Sequence, residues 1–333
     1  MNKVRWGILS TAKIGRKNVI PAMQQCTQAE VKGIASRNLE DAKNTANELG
    51  IPLAFGSYQA MLESPEIDAV YIPLPNHLHL EWILKSLDAG KHVLCEKPLV
   101  LKTQDIDAIR EKAKEKGRKV GEAFMVKTAP QWLKAKEIIQ SGSIGRLKSI
   151  HGFFSYFNDD PKNIRNNPAY GGGGLWDIGC YPITLSRFIL EEEPLVVFGV
   201  AEKDPDFQVD RVFSGLLSFP SCASTFTAST QMVPYQRMQF FGTEKMLELQ
   251  IPFNAPIDAP SLILLHSGSK EDADAEQIIV PASNQYTIQG DAFSRAIMEN
   301  TDVPVSLQDT LDNTKIILAL LESASSGGAI SLA

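Results

Sequence analysis

Lys97 stands between Glu96 and Pro98, directly after the apolar run His92-Val93-Leu94-Cys95. If that run is a strand of a parallel sheet, the lysine leaves its carboxyl end, where the ligands of open α/β sheets gather. A turn stiffened by proline would hold it there. The bland alternative is a solvated loop lysine. Further along, Asp177 and Tyr181 are four residues apart, a spacing that sets two side chains on one helix face. Four glycines, Gly171 to Gly174, precede them and would let a ligand approach the backbone closely. An isolated tyrosine has a pKa of about 10. A neighbouring ammonium such as Lys97 lowers it by stabilising the phenolate. A tyrosine tuned in this way exchanges a proton with a carbonyl or carbinol. Taken alone, the aspartate reads as a helix-start residue and the tyrosine as core.

Proton exchange at a carbinol is half of an oxidation, and the other half needs a hydride carrier. Val4–Leu9 leads into Ser10-x-Ala12-x-x-Gly15, which keeps only the third glycine of the dinucleotide fingerprint. Small residues still let the backbone approach a pyrophosphate, and the following helix start offers free N–H groups. Ser10, Thr11, Ala12, Lys13, Ile14 and Gly15 are the candidate phosphate turn. Ser36-Arg37 follows about 20 residues later, where a carboxylate selects NAD and an arginine accommodates the 2′-phosphate of NADP. The expected cofactor is NADP, with NAD as the alternative. The loop Pro73-Leu74-Pro75-Asn76-His77-Leu78-His79 supplies Pro73, Leu74, Asn76 and His79 to the same set, which Glu96 and Lys97 complete. Neither histidine belongs to a metal-ligand pattern, and no metal is expected.

These residues need a scaffold. Apolar runs at Val4–Leu9, Glu30–Ala35, Leu53–Phe55, Asp68–Ile72, His92–Glu96 and Lys119–Ala123 read as strands. Helical spacing lies between them at Lys13–Gln25, Leu39–Leu49, His77–Asp88 and Asp105–Lys116, with Asn38 as an N-cap. Alternating strands and helices with short links predict a doubly wound parallel sheet. The pattern changes near residue 124. One helix, Gln131–Gln140, precedes strands at Leu147–Phe157, Pro194–Ala201, Arg211–Phe219, Ala223–Met232, Gln236–Phe241 and Met246–Gln250. A helix from Trp176 to Leu190 interrupts them, and helices at Tyr286–Glu299 and Leu307–Ser323 end the chain. Consecutive strands predict an open, mainly antiparallel sheet with helices on one face. The expected division is 1–123 for NAD(P) binding and 124–333 for substrate binding and oligomerisation. An open apolar face invites association, so a homodimer or homotetramer through this sheet is expected.

Composition narrows the class. The 333 residues suffice for two domains. A net charge of -6 argues against a nucleic-acid partner. No apolar run approaches the ~18 residues needed to span a membrane, and no signal peptide opens the sequence. Four well-separated cysteines, Cys26, Cys95, Cys180 and Cys222, fit a reduced, cytoplasmic compartment.

The first turn, Pro75-Asn76-x-x-His79, the segment Gly90-Lys91-His92-Val93-Leu94-Cys95-Glu96-Lys97-Pro98 and the glycine-rich helix start together resemble the glucose–fructose oxidoreductase / inositol dehydrogenase / MocA-type (Gfo/Idh/MocA) family over essentially the whole chain. Many members carry a histidine four residues after the helix aspartate. Tyr181 at that place is similar to the branch with dimeric dihydrodiol dehydrogenases, NADP-dependent D-xylose dehydrogenases and glucose–fructose oxidoreductase. The resemblance implies a Rossmann domain and an open sheet that mediates dimers. It implies that Lys97 orients the substrate hydroxyl, Tyr181 is the acid/base and Asp177 assists. Ser10 and Ala12 depart from the family's usual glycines. The expected substrate is a small sugar-like aldose or polyol, met by Lys97, Arg165, Trp176, Asp177 and Tyr181, with Asn166, Asn167 and Tyr170 near by. Two alternatives stand beside it. One is a trans-dihydrodiol dehydrogenase whose pocket uses Phe124, Phe153, Phe154, Trp176 and Tyr235. The other is a non-catalytic NADP-binding sensor.

Overall fold

The computed structural model describes residues 3–268 and 275–332; Met1, Asn2, residues 269–274 and Ala333 lie outside the described residues. The chain packs as two compact units, Met1–Thr128 with Asn284–Leu311 and Ala129–Ser283 with Asp312–Ala333. A single cut after residue 123 therefore misplaces residues 284–311, which pack with the first unit. Trp6 shows why. Its indole N–H donates to Ser294 Oγ at 3.0 Å, and its ring lies 5.7 Å from that of Phe293.

The first unit holds six parallel strands: β1 (Val4–Leu9), β2 (Ala29–Ala35), β3 (Leu53–Phe55), β4 (Ala69–Ile72), β5 (His92–Glu96) and β6 (Val120–Ala123). Their order is β3-β2-β1-β4-β5-β6. The order reverses between β1 and β4, the switch point where nucleotides bind in such sheets. Helices cover both faces, so every residue of β4 is buried and that strand reads as an unbroken apolar run. The helix Leu39–Leu49 begins where the Asn38 side chain accepts from Glu40 N at 2.9 Å and ends at Gly50, whose φ is 65°. A short helix, Tyr58–Leu62, is too brief for sequence periodicity and was not expected.

The second unit holds nine strands: β7 (Leu147–Phe157), β8 (Val196–Lys203), β9 (Asp210–Ser218), β10 (Ala223–Ser229), β11 (Gln231–Gly242), β12 (Met246–Leu249), β13 (Ser261–His266), β14 (Glu276–Val280) and β15 (Ile330–Ser331). Their order is β14-β13-β12-β11-β7-β10-β9-β8-β15. All neighbours are antiparallel except β10 and β7. The expected strand Ala223–Met232 is divided at Thr230, and its end joins the expected Gln236–Phe241 run in β11. Helices cover one face. Gly152 must be glycine there, since a Cβ would lie 2.8 Å from Pro182 of the helix Cys180–Leu190. The Trp132 ring of the helix Pro130–Gln140 meets Phe240 on the same face. The opposite face presents Phe198, Val200 and Leu216 to solvent.

Candidate active site

In the first unit, β1 ends in a sharp turn at Ser10, whose φ is 119°. The Ser10 hydroxyl accepts from Ala12 N at 3.2 Å and reaches Pro73 O at 3.5 Å, joining the turns after β1 and β4. Ser36 is buried, with its hydroxyl accepting from Asn38 N, whereas Arg37 is exposed just past the carboxyl end of β2. Small residues at the first turn and an exposed guanidinium past β2 fit the diphosphate and 2′-phosphate of NADP.

The turn after β5 is held from several sides. The Tyr71 hydroxyl donates to Glu96 Oε1 at 2.5 Å. Burial and the Glu96 carboxylate push the Tyr71 phenol well up, so it stays a donor. The Lys97–Pro98 peptide is cis. His79 is fully buried, with Nδ1 2.8 Å from Pro98 O and Nε2 2.8 Å from Leu74 O. Burial lowers its pKa, although both carbonyls favour the imidazolium. His79 was expected to face the cofactor. With both ring nitrogens on backbone carbonyls it instead ties the β4 and β5 turns together. The Leu74 side chain is likewise core, leaving only its backbone at the loop. Tyr286 stands near Glu96 and Lys97, and burial, then Glu96, push its phenol up to about 12.

In the second unit, Asp177 lies in a wide helical turn, Leu175–Gly179, that runs into the helix Cys180–Leu190 carrying Tyr181. Arg165 Nε is 2.8 Å from Asp177 Oδ1, and the Tyr156 hydroxyl donates to Asp177 Oδ2 at 2.6 Å. Asp177, Tyr156 and Tyr181 all raise the Arg165 pKa, Asp177 most strongly, so the guanidinium is a fixed cation. The Tyr181 ring lies 5.7 Å from that of Phe154 and 5.4 Å from that of Phe253, and those two stack at 4.5 Å.

The glycine run has a specific partner. Asp210, buried at the start of β9, accepts from Leu175 N at 2.6 Å. Gly173 has φ 112°, and a Cβ there would stand 2.0 Å from Asp210 Oδ1. Burial pushes the Asp210 carboxyl up to about 7 against the pull of the backbone N–H groups of Leu175, Asp210 and Gly174. Sequence reasoning missed Asp210, Tyr156 and Phe253. Tyr156 alone left a signal, since it shares a face of β7 with Phe154 two residues before it.

Other expected residues serve elsewhere. Asn166 Nδ2 donates to Asp160 O and Asn167 caps Ala169 N, so both shape their own loop. Trp176 is buried and Phe124 is core. Phe153 and Tyr235 pair edge to face at 5.7 Å beside Arg237 on the open sheet face, away from Phe154. Among the described residues, no group of three His, Cys, Asp or Glu is arranged to hold a metal, and no helix is long and apolar enough to cross a membrane.

Residues 4–124 match the family described as Oxidoreductase family, NAD-binding Rossmann fold, and residues 132–248 match the GFO/IDH/MocA C-terminal domain. An uncharacterised oxidoreductase of Rhizobium meliloti is 42% identical over 329 residues, 98% of each chain. An NADP-dependent D-xylose 1-dehydrogenase of Haloferax volcanii is 35% identical over 332 residues, 98% of this chain and 99% of that one. The crystal structure of a 3-ketoreductase from Actinomadura kijaniata with NADP and TDP-benzene superposes with TM-score 0.89 at 29% identity, covering 97% of this chain and 98% of that one.

Proposed function

The chain belongs to the Gfo/Idh/MocA oxidoreductase family, and from that premise we propose that it is an NADP-dependent dehydrogenase of a sugar-like aldose or polyol. The observation that carries this reading is the Arg165–Asp177–Tyr156 cluster beside Tyr181. A guanidinium next to a phenol stabilises the phenolate, which is what an acid/base tyrosine requires.

We assign Tyr181 as the group that takes a proton from the substrate hydroxyl or returns it to the carbonyl. Lys97 orients that hydroxyl and keeps positive charge near it. Asp177 holds Arg165 in place and tempers its charge. Ser10, Thr11, Ala12, Lys13, Ile14 and Gly15 hold the diphosphate, Arg37 the 2′-phosphate, and the Pro73–Asn76 backbone and Glu96 flank the nucleotide. NADP, when bound, supplies the hydride acceptor and its reduced form the donor. Arg165 and the Phe154–Phe253 stack flank the substrate, offering a charged edge and an apolar wall. The wall also suits a ring-bearing trans-dihydrodiol, the second reading. The open sheet face is assigned to a second copy of the chain.

The test is NADPH formation by the pure protein with aldoses, inositols, a trans-dihydrodiol and a nucleotide-linked sugar, alongside Tyr181→Phe and Lys97→Ala. Turnover of an aldose that both substitutions abolish supports the assignment. Full turnover in either variant sinks it. Tight NADP binding with no turnover of any substrate would favour a sensor.

A further inference from the structure

Glu122 is a buried carboxyl with no part in the chemistry above. It sits in β6, paired in register with Cys95 of β5, and is 5% exposed. The other β6 residues are Val120, Gly121 and Ala123. A strand buried on both faces has no packing use for an ionisable side chain, and burial penalises its charge. Its two oxygens are both engaged. Leu99 N donates to Oε1 at 2.8 Å, and Thr310 Oγ1 donates to Oε2 at 3.0 Å. Leu99 and Thr310 are buried as well, so water does not compete for either bond. Burial lifts the Glu122 carboxyl to about 7; these two donors pull it down, Asp309 pushes it up and Lys127 pulls it down. Lys127 is itself paired with Asp309 at 2.7 Å.

Leu99 is two residues past Lys97. The Glu96 carboxylate is held by Tyr71 and the Pro98 carbonyl faces His79. We propose that Glu122 is a positioning residue for Lys97: by accepting the Leu99 N–H it fixes the far side of the Glu96-Lys97-Pro98 turn, and so the direction in which Lys97 leaves the sheet. This rests on the reading that Lys97 takes part in the reaction. The role needs a bond acceptor facing Leu99, not a negative charge. Glutamine at 122 keeps that acceptor and leucine does not.

The experiment compares Glu122→Gln, Glu122→Leu, Thr310→Val and Lys97→Ala in the full chain, with D-xylose and NADP as probes. Lysines are dimethylated with ¹³C-formaldehyde, and the Lys97 resonance is assigned by its loss in Lys97→Ala. Glu122→Leu is expected to shift and broaden that resonance and to lower kcat by about 10- to 100-fold. The KM for NADP should stay within about twofold, because the phosphate turn is untouched. Glu122→Gln should leave the resonance in place and kcat within about threefold. Thr310→Val, which keeps the side chain's shape, should move the resonance the same way by less, and it serves if Glu122→Leu does not fold. An unmoved Lys97 resonance in both Glu122→Leu and Thr310→Val overturns the proposal. So does a resonance displaced as far by glutamine as by leucine. If Lys97→Ala keeps full turnover, the role given to Lys97 fails, while the resonance still reports whether Glu122 positions it.

Discussion

Arg165 and Asp177 are joined through Nε and Oδ1 at 2.8 Å, and the second Asp177 oxygen is taken by the Tyr156 hydroxyl at 2.6 Å. Asp177 is thereby tied to a cation and a phenol donor. The Arg165 guanidinium is a charge that acts on Tyr181, since the two interact electrostatically. Asp177 sets how much of that charge remains uncompensated.

This arrangement gives a pH signature with a defined sign. Asp177→Asn leaves Arg165 uncompensated, which favours the Tyr181 phenolate. The pH profile of kcat/KM for alcohol oxidation should move to lower pH by about 1 unit. Arg165→Met removes the cation and should move the profile upward by a similar amount. Opposite displacements in the two variants are the expected result, and displacements in the same direction would refute the coupling.

The 2′-phosphate role proposed for Arg37 predicts a cofactor preference. Arg37 is exposed past β2, and no acidic residue stands beside it in Ser36-Arg37-Asn38. A charge-assisted pair with a phosphate contributes about 1.5–3 kcal/mol. Arg37→Ala should therefore raise the KM for NADP by about 10- to 100-fold and leave that for NAD within about twofold. Titration of both nucleotides against both proteins checks this, and equal losses for the two would remove Arg37 from the 2′-phosphate site.

Much of this was legible in local pattern. Val4–Leu9, Leu53–Phe55 and Leu147–Phe157 are strands with the expected bounds, because each apolar run is closed by polar or turn-forming residues. β13 and β14 were missed. They form one edge of the nine-stranded sheet, and the mixed exposure of β14 blurs the period-two signal. Lys97, Asp177 and Tyr181 became candidates through neighbours within a few residues. Tyr156, Glu122 and Asp210 did not, because their partners are 21, 23 and 35 residues away. His79 misled for a related reason. Its motif places it beside the cofactor loop, but only the packed structure shows both ring nitrogens turned to backbone carbonyls.

Asp210 and the glycine run make a stability prediction. Gly173→Ala puts a Cβ against Asp210 Oδ1 at a positive φ, and should cost on the order of 2–4 kcal/mol. The Asp210 carboxyl, at about 7, lies above its ordinary value, so the folded protein binds this proton more tightly than the unfolded chain. Its contribution is complete below about pH 4 and is lost as pH rises through about 7. Asp210→Asn keeps an oxygen that can accept from Leu175 N but cannot ionise, so it should flatten that decline in denaturant unfolding. A slope unchanged from wild type would show that Asp210 does not titrate in this range.

The open face of the second unit leads to the last prediction. Phe198 and Leu216 are paired across β8 and β9 and are each 39% exposed, with Val200 at 56% and Tyr235 at 46%. The eight gaps between nine strands, at about 4.8 Å each, make the sheet about 40 Å wide. Strands of roughly seven residues at about 3.3 Å per residue run about 20 Å. The face is thus about 800 Å², close to what one partner gives to a stable interface. Association through it would bury these side chains without disturbing the helices, which lie on the other face. The protein should therefore run as a dimer or tetramer in light scattering. Leu216→Glu with Val200→Lys should yield monomers whose first unit still binds NADP. A wild-type protein that stays monomeric at about 100 μM, well above the Kd of an ordinary interface of this size, would leave this face without a partner copy.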